Sequence, residues 1–204
     1  MTITTQRGWI AGMAMMTLLT GMALALLGAR QGSLAPSYDA NGNLQQPDDY
    51  AWREWIHIGT PLTPNSLNPP QAPFPEFHNV YIRPADFQHY AETGTFRDGT
   101  MLIKELVSVG STKALSGNGF FEGEFIGLEA TIKDSKRFAD EPGNWAYFTF
   151  SHEKPPYPET AQRQPTGACN TCHQQGTQEG AADDWVFVSY YPVLRAAKRS
   201  PQER

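Results

Sequence analysis

Cys169-Asn170-Thr171-Cys172-His173 puts two thiols three residues apart with an imidazole directly after the second. A pair of thiols at that spacing can add to the two vinyl groups of one haem. The adjacent histidine then reaches the iron from the same turn. The plainer alternative is a C-x-x-C disulfide beside a chance histidine. Zinc is a poorer reading, because no second Cys/His pair stands at finger-like spacing. Haem c is placed ahead of both.

The work of such a haem depends on its sixth ligand. Met101 is the only methionine beyond the N-terminal segment, and its neighbours have the alternation of a strand rather than of a ligand loop. His57, His78, His89 and His152 are read as surface or hydrogen-bonded histidines. The pattern therefore leans towards a five-coordinate iron open to a gas or a small substrate. Two charged residues stand on apolar strand faces: Lys104 with Leu102 and Leu106, and Glu129 with Phe121 and Phe125 if no bulge shifts the register. The plain reading of each is a side chain that snorkels to solvent or pairs with its opposite. The functional reading makes Lys104 a desolvated nucleophilic amine and Glu129 a carboxylate of raised pKa suited to proton transfer.

The elements that must position these residues can be read from punctuation and periodicity. The chain has 204 residues, a formal charge of -5 and 40% hydrophobic residues, enough for a core and too acidic to favour nucleic acid. No charge falls between Arg7 and Arg30. Residues 1–29 are read as a cleaved signal peptide, with an uncleaved anchor as the alternative, so the rest is expected to be exported to the periplasm. Residues 30–49 are expected as an extended lead-in, 50–198 as the functional domain and 199–204 as a charged tail. Asp48 and Asp49 are expected to cap a short helix that runs through Trp52, Trp55 and Ile56 to Gly59. Six prolines make 60–76 a loop. A strand is expected from Asn79 to Arg83, then a helix opened by Pro84 and closed by Gly94. Further strands are expected at 100–109, 120–133 (with a bulge at Gly123 or Gly127), 145–150 and 185–190, and a short helix from Pro192. The sum is an α+β, mainly β domain: an antiparallel sheet with a few short helices.

Several stretches resemble the cytochrome P460 family. They are Asp98-Gly99-Thr100 leading into Lys104-Glu105-Leu106-Val107-Ser108, Ser116-Gly117-Asn118-Gly119-Phe120, Ile126-Gly127-Leu128-Glu129-Ala130, Lys133-Asp134-Ser135-Lys136-Arg137-Phe138 and Glu141-Pro142-Gly143-Asn144-Trp145. Tyr191-Pro192-Val193-Leu194-Arg195 closes the match, which spans roughly residues 45 to 198. The resemblance implies a periplasmic homodimer with one haem c per subunit, attached through Cys169 and Cys172 and ligated by His173. It also implies a covalent link from Lys104 to the porphyrin. The implied activity is oxidation of hydroxylamine to nitrous oxide or nitrite, with electrons passed to a small c-type cytochrome and Glu129 relaying protons. His78 stands where a related chain has arginine; it is either a proton shuttle in the pocket or an ordinary loop-edge histidine. A related branch, the cytochromes c′-beta, binds nitric oxide instead, and an electron carrier is the third alternative. Lys104 and Glu129 favour the catalytic branch.

Overall fold

Residues 35–176 and 184–197 are described by a computed structural model. The expected signal segment and the charged tail lie outside them. Along the chain the strands are β1 (Leu44–Gln45), β2 (Ile56–Gly59), β3 (Phe77–Ile82), β4 (Met101–Val109), β5 (Lys113–Ala114), β6 (Gly117–Asn118), β7 (Glu122–Lys133), β8 (Trp145–Ser151) and β9 (Thr160–Ala161). The α-helices are α1 (Pro84–Thr93), α2 (Thr166–Gly176) and α3 (Pro192–Ala197). Five strands make one antiparallel sheet in the order β2-β3-β4-β7-β8. The chain is therefore α+β and mainly β, as its pattern implies. None of the described helices is long and apolar enough to cross a membrane.

β4 is buried on both faces, which explains why its sequence is apolar almost throughout rather than strictly alternating. Its even-numbered side is covered by a core of Tyr90, Phe96, Trp145, Tyr147, Val188 and Leu194. Its odd-numbered side carries Glu105, fully buried and held by Arg53 through bonds of 2.6 and 3.2 Å. The Arg53 guanidinium lies over the rings of Tyr50 and Phe125, 4.6 and 4.1 Å from their centroids. At the start of β4, the buried carboxylate of Asp86 on α1 accepts from Arg83 Nε at 2.6 Å, Arg97 Nε at 3.0 Å and the Met101 amide at 3.2 Å. A buried charge is tolerated when it is paired and hydrogen-bonded in this way.

α1 begins at Pro84 and ends with Gly94 at φ 73°, the left-handed closure glycine allows. Elsewhere the chain departs from its pattern. Residues 48–54 form a kinked 3-10 segment with left-handed Asp49 and Tyr50, no side-chain cap and an end at Glu54. Ile56 and Ile58 then alternate into β2, whose register is set by β3. The lead-in is not simply extended: Leu44 is fully buried, and β1 pairs with β9. Residues 185–190 are not a strand. Trp185 has φ 59° and Val188–Tyr190 form a 3-10 turn, so this apolar run packs its side chains while its backbone is used in other bonds.

β7 carries two bulges where its pattern predicts one, at Gly123 or Gly127. Leu106 pairs with Gly127 but Val107 with Phe125, so Ile126 is the extra residue, and a second irregularity follows before Glu122. The first bulge flips the parity of the residues between it and the second. Phe125 consequently lies on the Glu105 side with Arg53, not beside Glu129.

Candidate functional site

Lys104 and Glu129 are direct cross-strand partners in the middle of the sheet, on the even-numbered face. Their side chains form an ion pair, so the two plain readings hold together: each charge is paired with its opposite. The Glu129 side chain is only 17% exposed, and its other oxygen accepts from His152 Nε2 at 2.8 Å. β8 reaches this carboxylate through a bulge of its own. Leu128 pairs with Ser151 and Glu129 with Thr149, and the extra Phe150 re-aims the strand end that delivers His152. The Lys104 ammonium also sits 4.6 Å from the centroid of Phe74, whose ring lies edge-on to both His78 and His152. His78 follows from register: it pairs with Leu106, two residues along the same face from Lys104. Its Nε2 is buried without a hydrogen-bond partner.

The electrostatics correct one expectation. Burial raises the Glu129 pKa, but the His152 hydrogen bond and the Lys104 charge together outweigh it and bring the group down to about 2. As an ion pair, Glu129 is a settled carboxylate and not a proton carrier poised near neutrality. His78 is held down to about 4, first by burial and then by the Lys104 charge.

Acid should therefore destabilise the fold in two windows. His78's share of stability is complete above its ordinary 6.5 and is lost as pH falls to about 4. Glu129's share is complete above 4.5 and is lost towards about 2. His152 has the opposite sign: its bond to Glu129 raises its pKa, so its share is lost as pH rises through that raised value. The thermal midpoint measured from pH 7 to 2 should fall in both acid windows, and His78→Gln should attenuate the upper one. A flat midpoint between pH 6.5 and 4 would contradict the burial of His78.

The other half of the site is α2. Its helical period places Cys169, Cys172 and His173 on one side, at i, i+3 and i+4. Asn170, buried, donates from Nδ2 to the Trp145 carbonyl at 3.2 Å and ties the helix to β8. Both thiols are free. The His173 ring packs against Tyr147 and Phe187, each with its centroid 4.5 Å away. Its Nδ1 is 2.9 Å from the Trp185 carbonyl. That oxygen can only accept, so Nδ1 carries the proton and the lone pair is on Nε2. Burial brings His173 down to about 4 and keeps it neutral. Lys104 and Glu129 both act on the titration of His173 and of Cys169, so the two halves share one electrostatic environment.

This donor set fits a covalently held haem. Two thiols and a neutral imidazole of fixed tautomer lie on one helix, and the orientation of the ring through Nδ1 is what a metal-ligating histidine requires. The Tyr147 hydroxyl and His78 Nε2, both on the sheet face that carries Lys104, are buried polar atoms without partners. Among the described residues no group of three or more His, Cys, Asp or Glu is placed to hold a metal ion. Cys169, Cys172 and His173 are local in sequence and were legible there. The pairing of Lys104 with Glu129 needed the register. Phe74, in a proline-rich loop, carries no sequence signal, and His152 reads only as a surface or hydrogen-bonded histidine; its bond to Glu129 depends on a bulge that periodicity does not announce.

A family model described as Cytochrome P460 matches residues 47–188, a span that contains every residue of this site. Comparison with curated proteins returns no match.

Proposed function

The chain belongs to the cytochrome P460 family and is a haem protein of oxidoreductase type; on that premise we propose that it oxidises hydroxylamine, to nitrous oxide or nitrite, at an open face of its haem. The observation that carries this reading is the Glu129 carboxylate, fixed between Lys104 and His152 on the sheet face that shares its electrostatics with His173. Cys169 and Cys172 would hold the haem as thioethers, His173 would ligate it, and Lys104 would make the further covalent link. The haem supplies the redox chemistry and an electrophilic binding position for the substrate nitrogen.

The remaining work belongs to side chains. Oxidation of hydroxylamine releases protons as well as electrons, and once Lys104 is committed to the porphyrin and no longer a cation, the carboxylate beside the substrate can take them at Oε. His152 is bonded to that carboxylate and its side chain is 55% exposed, so it connects Glu129 to solvent. Phe74 lies against the Lys104 ammonium. A location outside the cytoplasm, where haem is attached to thiols, accords with the uncharged N-terminal run. A homodimer and a small c-type cytochrome as electron acceptor complete the proposal.

Purified haem-loaded protein is expected to turn over hydroxylamine with an artificial electron acceptor. Its intact mass should exceed that of the chain by one haem. Tight binding of nitric oxide without turnover would assign the protein to gas binding instead, and a six-coordinate low-spin spectrum would make it an electron carrier.

A further inference from the structure

Asp184 and Trp185 are consecutive non-glycine residues in the left-handed region, with φ of 49° and 59°. A bulky side chain rarely adopts that conformation, so something must hold it. Lys133, at the end of β7, supplies the hold. Its Nζ contacts both oxygens of Asp184 at 2.7 Å and donates to the Gly143 carbonyl at 3.1 Å. The Trp145 indole adds a bond to Asp184 Oδ1 at 3.3 Å, and the Lys133 ammonium lies 5.3 Å from the Trp145 ring centroid. Gly143 completes the clamp. A Cβ there would stand 2.5 Å from Trp185 Cε3, so only glycine lets the indole lie against this turn.

The product of this geometry is a single carbonyl. Trp185 O is the acceptor for His173 Nδ1, and Phe187, two residues on, packs against the same imidazole. The histidine is thus oriented by a segment whose unusual backbone is fixed from the end of β7.

We propose that the Lys133–Asp184 ion pair is the positioning device for His173: by locking Asp184 and Trp185 in left-handed conformation it aims the Trp185 carbonyl at Nδ1, and so sets the orientation and donor strength of the imidazole. The inference rests on the reading of His173 as the haem ligand. Neither Lys133 nor Asp184 touches the imidazole, so both act through Trp185. A hydrogen bond at Nδ1 raises the basicity of the other ring nitrogen, and such outer partners tune the metal.

The test uses haem-loaded protein. Asp184→Asn and Lys133→Met should each lower the iron–histidine stretching frequency in the resonance Raman spectrum of the ferrous protein and raise the haem reduction potential. Lys133→Arg, which keeps the cation, should restore both towards the parent values. Gly143→Ala, which displaces the Trp185 ring by a different route, should move both readouts in the same direction as Asp184→Asn. A merely structural ion pair would lower the melting temperature and leave the Raman band and the potential in place. That outcome, in folded Asp184→Asn or Lys133→Met, overturns the proposal. A parent protein whose intact mass lacks haem would overturn the cofactor reading and this inference with it, whereas intact haem with an unmoved band overturns this inference alone.

Discussion

Lys104→Ala should return the absorption spectrum of the native protein to that of an ordinary haem c and reduce hydroxylamine turnover to background. The haem would remain attached through Cys169 and Cys172, so intact mass would still show it, but peptide mapping would find no modified residue at 104. The reason lies in the ion pair. As an ammonium, Lys104 compensates the buried Glu129, and with His152 it brings that carboxylate to about 2. Once its nitrogen is committed to a ring carbon, the cation is gone. Burial, which is the largest influence on Glu129 and acts upwards, is then less opposed. The link would therefore change two things together, the electronics of the ring and the proton affinity of the carboxylate. In haem-free chain the same substitution leaves Glu129 with His152 alone, and we expect a loss of about 1–3 kcal/mol in denaturant unfolding. Unchanged spectrum and unchanged turnover in Lys104→Ala would remove the cross-link from the account.

Glu129→Gln should lower turnover by about 10²–10⁴-fold, the usual contribution of a positioned general base. Glutamine keeps the shape of the side chain and an oxygen for His152, but it cannot accept a proton. The spectrum should stay close to that of the parent, because no haem-attaching residue is altered. This pair of outcomes separates the carboxylate from the lysine: one variant changes colour and rate, the other rate alone. Parental turnover in Glu129→Gln would reassign the proton acceptor, with His152 next in the chain of contacts.

How much could be read beforehand depended on range. α1 was legible because proline and glycine mark its ends through their own backbone limits. β4 and β7 were legible from length and apolar content. The segment after Pro47 was misread because the alternation of Ile56 and Ile58 belongs to a strand, and its register comes from β3 rather than from neighbours in sequence. Trp185–Val188 has the composition of a strand, yet its backbone serves His173 and the Lys133 clamp, which no local pattern announces. The site divides in the same way. Cys169, Cys172 and His173 announce themselves within one turn. Lys104 and Glu129 stand out singly as charges among apolar residues, but their pairing, and hence the direction of the Glu129 pKa, required knowing which residues face one another across two strands.

The bulge at Ile126 bears on how this chain can vary in length. Leu106 pairs with Gly127 and Val107 with Phe125, so Ile126 is the one residue in that stretch of β7 without an opposite number in β4. Deleting it would leave every neighbouring pair as it is, since Phe125 already follows Gly127 in the ladder. Deleting Leu128 would instead bring Glu129 opposite Glu105 and turn its carboxylate to the far side of the sheet. β7 thus contains a place where an inherited gain or loss of one codon is absorbed, immediately beside a stretch where the same event abolishes the site. Length differences among descendants of this sequence should accumulate on the Phe125 side of that boundary and be absent from the Glu129 side.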